Sequence, residues 1–174
     1  IDHGIAPADD DYEYMLVVRA TPEMMVNLSA QLPYQVIQRD QNAHIIWHPA
    51  TALWGCVLFV EQDIAPYAVD GKALPIQAVD RPCLVMGETS DDGQLHLSLA
   101  DPDLNLVNGV NEAQALQVTL RGFWRLLGAK GTVCAWELES ASDKVRVLSA
   151  DADKTVLEIL CEHGASYDLS LARE

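Results

Sequence analysis

Positive charge is what this sequence has least of. Eleven Lys and Arg stand against 26 Asp and Glu, a formal net charge of −15 over 174 residues. Nucleic-acid binding needs a basic footprint, so the balance argues against that partner. It also argues against gripping a polyanion along a whole face. The cations that could still gather locally are Arg121, Arg125 and Lys130. The surplus acid reads as solubility. Long apolar runs are missing too. A membrane-spanning helix needs roughly 20 such residues, and the longest candidate, 52–60, has only strand length. No membrane partner is expected. Cysteine is sparse and scattered: Cys56, Cys83, Cys134 and Cys161 offer no pair at metal-ligand spacing, so no zinc site is expected. There is no Gly-rich phosphate loop between strand and helix and no Gly-x-Ser-x-Gly elbow. No cofactor and no metal is expected.

What is present is an ordinary globular composition, 49% hydrophobic. A chain of this length buries about two thirds of its unfolded surface and needs no disulfide or metal to hold a core. Cys56, Cys83 and Cys161 sit in apolar, strand-like runs and read as buried free thiols. Their even count with Cys134 leaves one or two disulfides open in an exported protein, and the sequence does not pair them. The chain begins inside a motif, without Met, which predicts a piece of something longer.

Residues 12–19 alternate and predict a strand. Thr21, Pro22 and Glu23 predict a helix start: an N-cap, a proline at the first position and an acid in the first turn. Met24, Met25, Leu28 and Leu32 follow at helical spacing and read as core packing. Pro33 predicts the stop. From there the chain reads as strands at 34–39, 43–47, 53–60, 83–89, 94–99, 115–121, 133–138, 145–149, 155–160 and 167–171. The stretch 62–82 predicts a long irregular connection, 105–113 a loop and 122–131 a turn region. Regularly spaced strands with turns between them predict a mainly β fold, an antiparallel β-sandwich with one short α-helix near the N-terminus. The domain reading is 1–105 and 106–174, or one continuous β unit.

Several residues could carry chemistry. His3 with Tyr12 or Tyr14 could act as base and acid, but no Arg or Asn accompanies them nearby. His44 and His48 would share a sheet face two pleats apart, which is poor geometry for one ion. His163 beside Glu162 reads as surface. Asp101, Asp103 and Asn105 alternate like calcium donors but lack the turn glycine and distal Glu. A turn that caps its own backbone is the stronger reading. The tryptophans raise the question of sugar stacking, since an exposed aromatic on a sandwich marks a binding module. Trp47, Trp54 and Trp124 are the ones to test, with Trp136 among apolar neighbours.

Asp2-His3-Gly4-x-x-Pro7, then Tyr12-x-Tyr14, then Thr21-Pro22-Glu23 opening a helix, resembles polysaccharide lyase family 8, the chondroitin, hyaluronan and xanthan lyases. The likeness is greatest to chondroitin sulfate ABC lyases. It continues through Tyr34-Gln35-Val36-Ile37, His44-Ile45-Ile46, Asp101-Pro102-Asp103-Leu104-Asn105 and Val118-Thr119-Leu120-Arg121-Gly122-Phe123-Trp124. The resemblance implies the end of the large lyase β-sandwich and the C-terminal β domain. In that family an Asn, a His, a Tyr and an Arg on a helical toroid carry out β-elimination, with a Glu from the sheet region in the ABC type. No segment here matches the toroid, so no catalytic residue is assigned, and no carbohydrate-binding residue is fixed. The implied partners are the rest of a parent lyase chain and, through it, a glycosaminoglycan. The implied location is secreted or periplasmic. Two other readings stand beside this one: an autonomous carbohydrate-binding module using an exposed Trp, and a small enzyme using His3 and Tyr12 or Tyr14.

Overall fold

A computed structural model describes residues 15–69, 72–103, 106–107, 110–133 and 137–173. The chain divides into two compact units, Ile1–Leu32 and Pro33–Glu174. His3, Tyr12 and Tyr14 lie outside the described residues, as do Asn105, Cys134 and Trp136.

In the first unit the helix α1 (Pro22–Ala30) begins as its sequence requires. The Thr21 hydroxyl accepts a hydrogen bond from the Met24 amide at 3.2 Å, satisfying one of the donors a helix start leaves orphaned. Two expectations fail here. Residues 15–19 form turn and irregular backbone rather than a strand. No helix residue is buried: Met24, Met25 and Leu32 are between 42% and 49% exposed, so they are not core. Their helical spacing is real, but the described residues of this unit supply no second apolar layer to bury the stripe.

In the second unit the strands are β1 (Gln35–Arg39), β2 (Ala43–His48), β3 (Leu53–Leu58), β4 (Gln62–Asp63), β5 (Ala68–Val69), β6 (Lys72–Ala73), β7 (Ile76–Val79), β8 (Cys83–Thr89), β9 (Gln94–Ala100), β10 (Leu106–Val107), β11 (Val110–Asn111), β12 (Gln114–Arg121), β13 (Trp124–Val133), β14 (Glu137–Ser140), β15 (Val145–Ala150), β16 (Lys154–Cys161) and β17 (Ser166–Arg173). The large sheet runs β1-β2-β3-β8-β9-β17-β13-β14 and the small sheet β15-β16-β12-β7-β4. All described pairings within them are antiparallel. Both sheets mix strands from either side of residue 105: β9 pairs with β17, and β7 with β12. This is the expected antiparallel sandwich.

Its core follows from period-two alternation. Ala43, Ile45 and Trp47 of β2 point inward, as do Trp54, Cys56 and Leu58 of β3 and Leu95, Leu97 and Leu99 of β9. Leu116, Val118 and Leu120 of β12 and Leu157 and Ile159 of β16 meet them from the small sheet in one continuous cluster.

The expected turn at 122–131 is instead the ten-residue strand β13. Its glycines mimic turn signals. Only Gly122 serves a turn, with φ +83°. Gly131 lies flat in the sheet, where a Cβ would meet Tyr167 and Ala141 at 3.5 Å.

The long connection 59–75 is held by Arg121. Its guanidinium donates to the carbonyls of Leu74 at 3.2 Å and of Ile76 and Ile64. Burial lowers its pKa below the usual arginine value. Arg121 is therefore committed to backbone carbonyls and does not join Arg125 and Lys130 in a basic patch. Those two lie on the other sheet.

Candidate functional site

The inner face of the large sheet is filled, so any site on it must use the outer face. Register places the outward residues in rows. One row runs Val36, Ile46, Gly55, Met86, Ser98, Asp168, Lys130. A second runs His44, Val57, Leu84, Ala100, Ser166. A third runs Leu53, Glu88, His96, Ser170. Each row starts apolar, or reaches apolar residues within a strand, and turns polar by β9 or β17. Ile46, Leu53, Val57, Leu84 and Met86 are 38–52% exposed. Side by side they make a contiguous apolar patch on β2, β3 and β8.

Two shallow depressions share this face. The larger, about 420 Å³, is lined by His44, Ile46, Gly55, Val57, Leu84 and Met86 together with small residues of β9 and β17. Gly55 makes it deeper, since the position carries no side chain and a Cβ there would have only Ile46 Cγ1 nearby, at 3.8 Å. The smaller, about 240 Å³, has Leu53 and Met86 on one side and Glu88, His96, Asp168 and Ser170 on the other. His96 Nδ1 and Ser170 Oγ are 3.3 Å apart.

The histidines do not converge. His44 stands edge-on to Phe59, with centroids 5.3 Å apart and planes at 89°. His48 Nδ1 is 2.9 Å from Thr51 Oγ1. The two share a face with Ile46 between them. His163 is exposed, at φ +55°. Among the described residues no group of three or more His, Cys, Asp or Glu could hold a metal ion. Asp101 is buried. Its Oδ1 accepts from the Asp103 amide at 2.8 Å, the turn that caps its own backbone. Its Oδ2 faces Arg81 Nη1 at 3.5 Å, and the same nitrogen donates to Gln114.

The sugar-stacking test goes against the tryptophans. Trp47, Trp54 and Trp124 are 1%, 1% and 3% exposed. Trp47 and Trp54 are cross-strand partners inside the sandwich. Trp124 is fixed by its indole N–H, which donates to the Arg121 carbonyl at 2.8 Å. None of the three offers a face to a sugar. The free thiols Cys56, Cys83 and Cys161 are buried. Burial pushes Cys56 and Cys83 up to about 12 and Cys161 up to about 11. A thiol held so far above neutral is a poor nucleophile.

The apolar outer patch was not singled out in the sequence. Its signal was there: Leu53, Val57, Leu84 and Met86 break the apolar-polar alternation of their strands and make each read as doubly buried.

No family model matches the chain. It is 28% identical over 199 residues to the chondroitin sulfate ABC exolyase of Bacteroides thetaiotaomicron, aligning 99% of itself with 18% of that protein. It is 30% identical over 131 residues to the chondroitin sulfate ABC endolyase of Proteus vulgaris, covering 72% of the chain and 12% of that protein. The resemblance to chondroitin lyases is thus borne out, and the chain spans less than a fifth of the length of these relatives. Among solved structures, a Streptomyces coelicolor A3 chondroitin AC lyase in complex with chondroitin sulphate matches with a TM-score of 0.64 at 11% identity. That match covers 89% of this chain and 17% of the lyase. A Paenibacillus xanthan lyase matches with a TM-score of 0.58 at 11% identity, covering 89% and 12%. At that identity these two show the shared fold alone.

Proposed function

We propose that this chain, a relative of chondroitin sulfate ABC lyases, is the C-terminal, non-catalytic β-sandwich portion of a bacterial glycosaminoglycan lyase. The parent cleaves uronate-containing polysaccharide by β-elimination: the carboxylate is neutralised, the C5 proton is removed and the C4–O bond breaks. The sandwich supports the catalytic part of that enzyme. Residues 33–174 serve as one continuous β unit, and the parent is exported to the periplasm or medium.

The observation that carries the reading is the alignment of nearly the whole chain with a small fraction of a lyase. The described side chains fit a supporting role. The Tyr167 hydroxyl donates to the Leu160 carbonyl at 2.9 Å, the Tyr67 hydroxyl donates to Gln35, and the histidines are engaged separately. The acidic balance fits support better than direct grip on a sulfated chain, because like charges repel.

The test is an assay of the 174-residue chain for unsaturated uronate absorbance on chondroitin sulfate and hyaluronan, with the same sugars titrated for binding. Neither turnover nor binding is expected, while the full-length polypeptide carrying this segment turns over at least one of the two. Turnover by the chain alone would overturn the reading. Binding without turnover would make it a carbohydrate-binding module instead.

A further inference from the structure

The two outer faces of the sandwich are unlike. On the small sheet the outward positions are mixed: Gln117 of β12 lies opposite Glu158, which pairs with Arg146 at 2.5 Å, while Thr119 lies between Val156 and Ala78. On the large sheet Ile46, Leu53, Val57, Leu84 and Met86 form one uninterrupted apolar surface. Burying a surface of this kind is favourable at about 25 cal/mol per Å², and contiguous exposed patches mark contact sites.

We propose that the apolar half of the large sheet's outer face, on β2, β3 and β8, is the seat on which the remainder of the parent lyase chain packs. This rests on the functional reading above and names the surface that reading requires. The occupant follows from three observations. The chain corresponds to 18% and 12% of its curated relatives, and the same fold makes up 17% of the chondroitin AC lyase chain. A covalently continuous neighbour several times larger is therefore at hand, at an effective concentration no free partner matches. The shape calls for a ridge: Gly55 opens a trough between Ile46 and Met86 that one row of aliphatic or aromatic side chains fills. The margin sets the charge. Glu88 and Asp168 border the patch on its polar side and form no ion pair within 4.0 Å among the described residues. The ridge then carries a Lys or Arg at that end, where a rim charge fixes register more than affinity.

The experiment uses the full-length polypeptide carrying this segment. Val57→Cys and Met86→Cys place thiols in the seat, and Ser149→Cys places one on the exposed edge strand of the small sheet. All three residues point outward, so the sandwich keeps its core. Maleimide labelling of the resting protein should be at least tenfold slower at residues 57 and 86 than at 149. Equal rates would overturn the proposal. Protection that disappears on dilution would assign the face to a second copy of the chain and overturn it too. Protection that appears only after chondroitin sulfate is added would assign the face to polysaccharide, with the same consequence. Labelling reads the seat without reading catalysis. A full-length protein that shows the contrast and cleaves no glycosaminoglycan would sink the functional reading alone.

Discussion

Trp54 and Gly87 are cross-strand neighbours on β3 and β8, and the indole of Trp54 fills the space a side chain on residue 87 would need. A Cβ there would stand 2.6 Å from Trp54 Cε2 and 2.8 Å from Leu97 Cδ2. Trp54 is 1% exposed and Leu97 2%, so neither can swing into solvent. Gly87→Ala should therefore destabilise the sandwich by about 1–3 kcal/mol, the cost of overpacking a dense core. Gly55→Ala, in open space on the opposite face, should cost well under that. Urea unfolding of the two variants checks the contrast, and equal midpoints would refute it.

Thr155 is buried, yet its hydroxyl is fully used. It accepts from the Trp124 amide at 2.8 Å and donates to the Gly122 carbonyl at 2.9 Å. The pair holds the turn that leads from β12 into β13. Thr155→Val keeps the shape and strands both backbone groups. The expected loss is about 1–3 kcal/mol, against a far smaller effect for Thr119→Val on the outer face of β12. Chemical denaturation of both variants is the measurement.

Arg121→Met should loosen the connection 59–75 rather than the sheets. Three carbonyls lose a charged donor, at about 2 kcal/mol overall because water can reach part of the site. Hydrogen exchange should quicken at Ile64 and Leu74, whose amides bond the Gln77 and Tyr67 carbonyls. Exchange in β9 and β17 should stay unchanged. Uniform quickening across the sandwich would mean that Arg121 supports the whole fold.

The buried thiols make stability fall in alkali. Unfolded, Cys56 and Cys83 ionise near 9.0; folded, burial holds both to about 12. Between those values the unfolded chain sheds protons the native one keeps, so stability drops as pH rises from about 9 towards 12. The slope is at most about 1.4 kcal/mol per pH unit per thiol. In a Cys134→Ser background at pH 8, native protein should react with a thiol reagent at under about a hundredth of the unfolded rate. Cys83→Ala should flatten the alkaline slope. An unchanged slope would place its cause elsewhere.

The acid limb has the opposite sign. Asp40 accepts from the Asn42 amide at 2.8 Å and the Ala43 amide at 3.0 Å. Asp151 accepts from those of Asp153 and Lys154, both at 2.9 Å. These bonds, first among the causes, hold both carboxyls below 3.8. Their contribution is present above that value and lost as pH falls through the folded pKa. Asp40→Asn should make the acid transition less steep, as followed by circular dichroism against pH.

Local chemistry by itself determined a good deal. The Thr21 cap, the hairpin turn at Asp40, the alternation of β2, β9, β12 and β16 and the Asp101 turn are all set by residues a few positions apart. Each could be read before any fold was known. The motif likeness to chondroitin lyases belongs with them. Tertiary structure decided what depends on partners far along the chain. Whether Met24 is covered depends on a second layer, which helical spacing cannot supply. Whether 124–133 is turn or strand depends on β17, whose Tyr167 and Ser170 lie opposite Gly131 and Gly128. Whether Arg121 is a free cation depends on carbonyls up to 57 residues away. The outer patch exists only because strand order sets β2, β3 and β8 side by side. A period of two fixes that a side chain points to one face or the other, and only the assembled sandwich fixes which face is left uncovered.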